Sequence, residues 1–362
     1  MAREVELKLS LDPQQALALR ALPWLGEPEP GGSRPLHNQY FDTPDRLLAQ
    51  HRVALRIREQ DGRYIQTLKT RGSSQGGLHQ RNEWEWDLPE PALDYTLLST
   101  ADWPEALQST AIQRRIVPAF RTDFERTTWM LRESAHGGEP VLIELVLDQG
   151  EVTATAAGVS TALCELELEL KQGTAPDLYR VAMQLAQSVP VLVSDISKAE
   201  RGYRLLGAAR ERPEAALQPE QLDTQATFLA LAERALTRAS RGFDAWRGRC
   251  EGSGSDNAEQ DWQGVETAAL ACRELQALLH SFAPLLPTSA GSELSAPLLQ
   301  LNQQLEQALG WRLLLPRLDV AAQSAWAADQ AAAAALRLDA VLASPATGRV
   351  LLGYGALLSR VC

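Results

Sequence analysis

Glu4, Glu6 and Lys8 alternate with Val5, Leu7 and Leu9 at the start of this chain. Successive side chains of a β-strand point to opposite faces, so the three charges share one face and the aliphatic residues the other. The pattern recurs. Arg56 and Arg58 oppose Leu55 and Ile57, and Lys69 stands in TLKT. Arg81, Glu83 and Glu85 oppose Trp84 and Trp86, while Glu144 aligns with Asp148. Glu165, Glu167 and Glu169 oppose Leu166, Leu168 and Leu170. An antiparallel sheet with one face in water alternates in this way too. Such a face would interleave its signs, because opposite charges attract across strands and like charges repel. Here the arginines gather on one segment and the glutamates on another, which suggests a ligand. A sheet curled into a closed or nearly closed barrel, polar face inward, would turn the acidic strands into a cation site and the basic ones into an anion cradle. Carboxylates without His or Cys favour hard cations such as Mg²⁺ or Mn²⁺, and a ligand that needs both such a cation and arginine is rich in phosphate.

The elements that would position these residues follow from periodicity. Strands are expected over 3–9, 36–42, 52–59, 63–70, 79–87, 115–131 (broken near Pro118), 140–148, 151–156 and 163–170, with helices over 12–22, 102–113, 175–188 and 197–207. The sequence QDGR at 60–63 signals a tight hairpin, and RGSSQGG at 71–77 a flexible loop. Ser197 and Glu200 have the spacing of a capping box. Many antiparallel strands with a few helices make an α+β domain over residues 1–208. Residues 209–221, rich in Ala, Glu and Pro, read as a linker. Residues 222–362 then read as an all-α bundle with helices near 222–246, 260–283, 293–310, 316–340 and 345–360, broken by Pro287, Pro297, Pro316 and Pro345. Residues 250–257 read as a Gly/Ser loop.

The 362 residues exceed what one core usually serves, in keeping with two domains. A 45% hydrophobic content argues against extended disorder, and a net charge of -11 argues against wholesale nucleic-acid binding. Cys164, Cys250, Cys272 and Cys362 lack the spacing of a disulfide framework or zinc site, which fits a reducing compartment. No stretch reads as a signal peptide or membrane span, so a cytoplasmic protein without membrane contact is expected. His37, His51, His79, His136 and His280 are dispersed without ligand-spaced companions, although His79 falls in a segment considered below. Neither a GxxxxGK phosphate loop nor a GxSxG elbow is present. Trp84, Trp86 and Trp129 fall on the apolar faces.

EVELK, YFDTP, ALRIR, TLKTRG, GLHQRNEWEW, TDFER, LDQGEV, CELELEL and SKAERGYRL follow one another over residues 1–206. This succession resembles the CYTH-domain proteins, the triphosphate tunnel metalloenzymes, whose signature is ExExK. The resemblance implies an eight-stranded antiparallel β-barrel tunnel that acts on triphosphates with divalent metal. It implies that Glu4 and Glu6 contact metal and the attacking water, with Lys8 beside them. Lys8, Arg56, Arg58, Lys69, Arg81, Arg126 and Lys198 match positions that hold phosphate. Glu165 and Glu167 match a metal-binding pair, with Asp148 nearby and Glu83, Glu85, Glu144 and Glu169 as further acidic neighbours. The expected reaction is hydrolysis of inorganic triphosphate with Mg²⁺ or Mn²⁺. Alternatives are a non-catalytic phosphate- or polyphosphate-binding module, or action on thiamine triphosphate or a nucleoside triphosphate.

The pairing with a helical second half resembles bacterial inorganic triphosphatases that join CYTH to CHAD. The CHAD segment VHxxRVxxRRxRxxLxxF corresponds to VETAALACRELQALLHSF here, where Glu266 replaces the histidine and Ala269, Glu274 and Gln276 replace basic residues. Arg273 alone remains, so a packed helix without long-chain polyphosphate binding is expected. Arg238, Arg241, Arg247 and Arg249 are the candidates for a substitute basic patch.

Overall fold

The computed structural model describes residues 2–29, 32–134, 138–154, 157–207, 224–248, 255–317 and 320–361. Ten strands among them form one antiparallel sheet: β1 (Ala2–Leu11), β2 (Arg34–Asp42), β3 (Ala54–Gln60), β4 (Arg63–Lys69), β5 (Ser73–Gln75), β6 (Leu78–Leu88), β7 (Val117–Ser134), β8 (Pro140–Ala154), β9 (Val159–Gln172) and β10 (Val191–Val193). Eight close a barrel in the order β1, β9, β8, β7, β2, β3, β4, β6, with β6 pairing back to β1. The short β10 and β5 extend β1 and β6.

The period-two pattern decides which face turns out. Leu7, Leu9, Leu145, Leu147, Leu166, Leu168 and Trp129 are buried outside the barrel, together with helix residues Leu178, Val181 and Leu185. Leu55, Leu68 and Trp84 pack under a second cover containing Leu48, Leu98, Trp103 and Leu107, with Trp86 against it. The helices along the barrel are α1 (Ala16–Arg20), α2 (Leu47–Gln50), α3 (Tyr95–Leu98), α4 (Thr110–Gln113), α5 (Ala175–Leu185) and α6 (Lys198–Leu205). The sequence reads 12–22 and 102–113 as single helices; the chain instead makes short turns and helices there, with Pro13 and Pro104 at the start of a 3-10 turn in each segment.

Three further expectations change. Strand β7 is unbroken at Pro118, which stays in register with Phe41, while the neighbouring Ala119 forms a bulge opposite Tyr40 and Phe41. The segments 140–148 and 151–156 form one strand to Ala154, and residues 155–156 lie outside the described residues. The segment 71–77 contains β5, and β10 joins from a short apolar run that periodicity does not distinguish.

Helix α6 occupies one end of the barrel. Its Tyr203 packs with Leu36, Tyr40, Phe120, Phe124, Val152 and Leu163, which lie on the same strand faces as the charges. Tyr40 and Phe120 stack at 4.7 Å, and Phe120 meets Tyr203 edge-on at 5.0 Å. Ser197 caps the helix by accepting from the Glu200 amide at 3.1 Å. At the other end Tyr203 donates to Asp42, which also accepts from the amides of Thr43, Leu48 and Ala49.

The helical region comprises α7 (Thr224–Arg247), α8 (Ser255–Ser281), α9 (Thr288–Leu314), α10 (Val320–Leu342) and α11 (Pro345–Val361). Pro297 lies inside α9 and does not break it, and α8 begins earlier than periodicity suggests, at Ser255. Residues 250–254 of the expected Gly/Ser loop and the whole 209–221 linker lie outside the described residues, and residues 255–257 of that loop open α8 instead. Phe228, Leu236, Leu351 and Tyr354 belong to the same buried cluster as Leu7, Leu178 and Val191, so the barrel's outer face continues into the bundle. Among the described residues, no single helix is long and apolar enough to cross a membrane.

Gly202 is where this arrangement is least tolerant. A Cβ there would lie 2.1 Å from the Phe120 ring, which is held between Tyr40 and Tyr203 and cannot yield. Gly202→Ala is expected to displace α6 and destabilise the protein by about 2 kcal/mol. Thermal melts check this; an unchanged melt would show that the plug is loosely packed.

Candidate active site

The charged strand faces line a cavity of about 690 Å³. Its walls include Glu4, Lys8, Arg56, Arg58, Lys69, Arg81, Arg126, Glu167 and Lys198, together with Glu83, Glu85, Glu144 and Glu169. Glu6, Asp148 and Glu165 stand behind this lining, buried at 2%, 0% and 1% exposure. Closure of the barrel thus brings these sixteen residues, each singled out from the sequence, to one interior.

Cross-strand register organises them. Glu4 lies opposite Arg81, Lys8 opposite Glu167, Asp148 opposite both Arg126 and Glu165, and Lys69 opposite Glu83. Lys69 Nζ contacts Glu4 Oε1 and Glu83 Oε2, each at 3.0 Å. Arg81 reaches Glu4 Oε2 at 2.8 Å and Glu6 Oε1 at 2.7 Å. Arg126 donates to both oxygens of Asp148, at 2.7 and 2.6 Å, and to Glu167 at 3.0 Å. Lys8 pairs with Glu6 and Glu167. Lys198, at the N-terminus of α6, contacts Asp148 at 2.7 Å, Glu167 at 3.0 Å, and Glu165.

The arginines of β3 differ from these. Arg58 Nε donates to Asn38 Oδ1 at 2.8 Å, and Arg56 comes no nearer than 3.9 Å to Glu83. Burial, with Arg56 and Arg126 close by, pushes Arg58 down to about 9. Such a guanidinium still carries its charge at neutral pH, but under a penalty that a bound anion would relieve.

The acidic side has the opposite balance. Burial opposes ionisation of Glu4, Glu6, Asp148 and Glu167, yet neighbouring cations win. Lys69 and Arg81 hold Glu4 far below the usual carboxylate range, and Lys198, Lys8 and Arg126 do the same for Glu167. Lys8 and Arg81 lower Glu6; Arg126 and Lys198 lower Asp148. For Glu165 and Glu83 burial prevails and their values rise.

Asp148, Glu165 and Glu167 each offer an oxygen within 4.8 Å of the others. Glu165 Oε2 is buried without a hydrogen-bond partner. Three convergent carboxylates suit a hard divalent cation, which would take the place of the Lys198 ammonium that now lies within 3.0 Å of all three. Glu4 and Glu6 stand outside this trio, joined to it through Lys8, which contacts both Glu6 and Glu167. Two lining residues escaped the sequence reading. Lys171 pairs with Glu144 at 2.8 Å and Glu169 at 2.7 Å, and continues the alternation of β9. Tyr40 lies opposite Arg56 on β2 and left no comparable signal. His79 is buried opposite Glu6, with Nε2 3.4 Å from the Ser194 carbonyl; burial and Lys8 lower its value, so it is neutral.

The barrel closes on an interior in which basic and acidic side chains face each other across neighbouring strands, so the signs that gather along single strands interleave once the strands pair. The chain belongs to the CYTH domain family, whose profile matches residues 2–203. It is 34% identical over 209 residues to an inorganic triphosphatase of Haemophilus influenzae, a match covering 58% of this chain and 56% of that one. The similarity therefore spans little more than half the length of that relative. Among solved structures it is similar to a Hippeastrum protein described as a candidate adenylyl cyclase with dominant triphosphatase activity (22% identity, 61% of this chain and 100% of that one, TM-score 0.40). It is also similar to a candidate adenylate cyclase of Bacillus halodurans (20% identity, 61% and 100%, TM-score 0.30).

The helical region uses its basic residues structurally. Arg238 pairs with Glu274, Arg241 with Glu200, and Arg312 with Glu259 and Glu266. Arg247 donates to the carbonyls of Ser10 and Leu342, and Arg273 approaches Glu306 at 3.9 Å. Arg249 lies outside the described residues.

Because folding depresses Arg58, its charged form costs stability at every pH below about 9. Arg58→Gln, melted at pH 7 without ligand, is expected to raise the Tm by roughly 2–4 °C, corresponding to about 1 kcal/mol. A lowered Tm would show that the cradle is not under this penalty.

Proposed function

We propose that the protein hydrolyses inorganic triphosphate to pyrophosphate and phosphate inside the tunnel. The observation that carries this reading is one closed interior that holds both weakly paired guanidinium groups, Arg58 on Asn38 and Arg56 no nearer than 3.9 Å to Glu83, and a carboxylate group at Asp148, Glu165 and Glu167. A mere anion binder gains nothing from carboxylates beside its phosphates. The name of the Haemophilus relative supports the same choice.

In this proposal Arg56, Arg58, Lys69 and Arg81 hold the phosphates from one side, and Lys8, Arg126 and Lys198 hold them from the other. Arginine contributes paired donors that fix orientation, which lysine cannot do. The N-terminus of α6, capped by Ser197, adds its partial positive charge beside Lys198. Asp148, Glu165 and Glu167, with Glu4 and Glu6 alongside, would hold Mg²⁺ or Mn²⁺. Such an ion would offset phosphate charge and favour attack by water at a terminal phosphorus. Glu4 and Glu6 orient that water, with Lys8 fixing Glu6 and balancing its charge. The phosphoanhydride bond breaks and pyrophosphate leaves. The protein would act in the cytoplasm.

Phosphate release from tripolyphosphate with Mg²⁺ or Mn²⁺, abolished by chelator, tests the reading, and parallel assays with thiamine triphosphate and nucleoside triphosphates rank the substrates. Glu6→Gln and Glu167→Gln each remove a hard anionic group at constant shape, so turnover is expected to fall by a factor on the order of a hundred or more. Near-wild-type turnover in both at saturating metal would refute the site. Arg58→Lys is expected to raise KM for triphosphate and Arg58→Ala to raise it further; identical kinetics in all three proteins would reduce this wall to mere surface.

The helical region, in the same proposal, lacks a polyphosphate site, since the arginines noted above are engaged with carboxylates and carbonyls. In the full chain carrying Arg56→Ala and Arg58→Ala, calorimetry is expected to show no saturable micromolar binding of long-chain polyphosphate at near-physiological salt. Such binding would reveal an anion site outside the tunnel.

A further inference from the structure

The bundle reaches the carboxylate group through one buried residue. Asp244 lies on α7 at 2% exposure, yet its partners belong to the barrel domain. It accepts from Ser194 Oγ, and Arg201 Nη2 of α6 lies 3.3 Å from each of its oxygens. The same guanidinium turns its Nε toward Glu165 Oε2, but at 3.7 Å no hydrogen bond forms. Both atoms, Arg201 Nε and Glu165 Oε2, are buried without a hydrogen-bond partner. Glu165 Oε1 is already held by Lys198.

A buried carboxylate and a buried guanidinium normally close on each other, because an unmade charged hydrogen bond in the interior is expensive. This pair stops about one ångström short, and the group that engages the other end of the arginine is Asp244. We propose that Asp244 is a positioning residue of the tunnel: it tethers and neutralises Arg201, so that Glu165 keeps one oxygen open as a cation ligand. The proposal rests on the cation-binding role given above to Asp148, Glu165 and Glu167. It assigns the helical region a part in that site that requires no contact with the ligand. Arg241, one turn before Asp244, pairs with Glu200 on α6, so α7 holds the same helix at two points.

The consequence is a defined pattern among variants. Without the Asp244 charge, Arg201 is free to cap Glu165, and its uncompensated positive charge repels a cation from the site. Removal of both charges restores the local balance and leaves two amides that can bond each other. The experiment is calorimetric titration of the full chain with Mn²⁺ alone, without triphosphate, in parallel with thermal melts. Asp244→Asn is expected to bind Mn²⁺ at least about tenfold more weakly than wild type, and Asp244→Asn with Arg201→Gln to return to within about threefold. A structural role alone would lower the Tm in both variants and leave Mn²⁺ affinity unchanged. Wild-type affinity in Asp244→Asn, or a double variant as weak as the single one, would overturn the role of Asp244 while the proposed metal site stands. Absence of Mn²⁺ binding in wild type would overturn the site itself and this role with it. Should Asp244→Asn fail to fold, Arg201→Gln decides alone: it is expected to bind Mn²⁺ at least as tightly as wild type, and weaker binding refutes the proposal.

Discussion

Charge confined in a closed barrel must balance itself, and the rest of this structure follows from that constraint. Water cannot solvate buried carboxylates and ammonium groups as it does at a surface, so each needs a partner within the wall. The register of β1 against β6 and β9 supplies the pairs: Glu4 against Arg81, Lys8 against Glu167. Slippage by one residue would invert every face and leave these charges in the outer core. The leucines of β1, β8 and β9, buried outside, lock the register that places the charges inside.

Balance is nevertheless incomplete at two places, and these are the informative ones. Arg58 is held by Asn38 and Arg56 meets Glu83 only at 3.9 Å, while Glu165, paired with Lys198 through one oxygen, leaves the other unsatisfied. Weakly paired guanidinium groups and a buried oxygen without a donor are costly to maintain without a ligand that meets both. The aromatic plug of α6 confines that cost to the middle of the barrel. Tyr40, Phe120, Phe124 and Tyr203 fill the adjoining interior, and Lys198 and Arg126 pass over the Phe124 ring at 5.0 and 5.8 Å.

The site was legible from the sequence because strand period and charge coincide. Any two alternating charged residues share a face, so Glu4 with Glu6, Arg56 with Arg58 and Glu165 with Glu167 could be grouped before closure was known. Lys171 obeys the same rule and was available to it. What alternation does not encode is which strands neighbour one another, or where an apolar residue turns inward. Tyr40, Phe120 and Phe124 lie on the charged faces yet belong to the plug, a consequence of tertiary packing by α6. The β10 strand has three residues and no period to read. Proline misled as a breaker: β7 runs through Pro118 beside a bulge at Ala119, and α9 runs through Pro297.

In the helical region acidic side chains take up basic ones. Glu266 pairs with Arg312 and Glu274 with Arg238, and these ion pairs link α8 to its neighbours. Arg247 goes further, spending its donors on the Ser10 carbonyl of β1 and the Leu342 carbonyl of α10. A guanidinium that bridges barrel and bundle in this way is a structural tie. The close fit at Gly348, where a Cβ would meet the Val191 carbonyl at 2.0 Å, shows that backbone packing enforces the same union. Arg247 against β1 and Gly348 against β10 thus join bundle to barrel at main-chain carbonyls, where no side-chain substitution in the barrel can remove the contact.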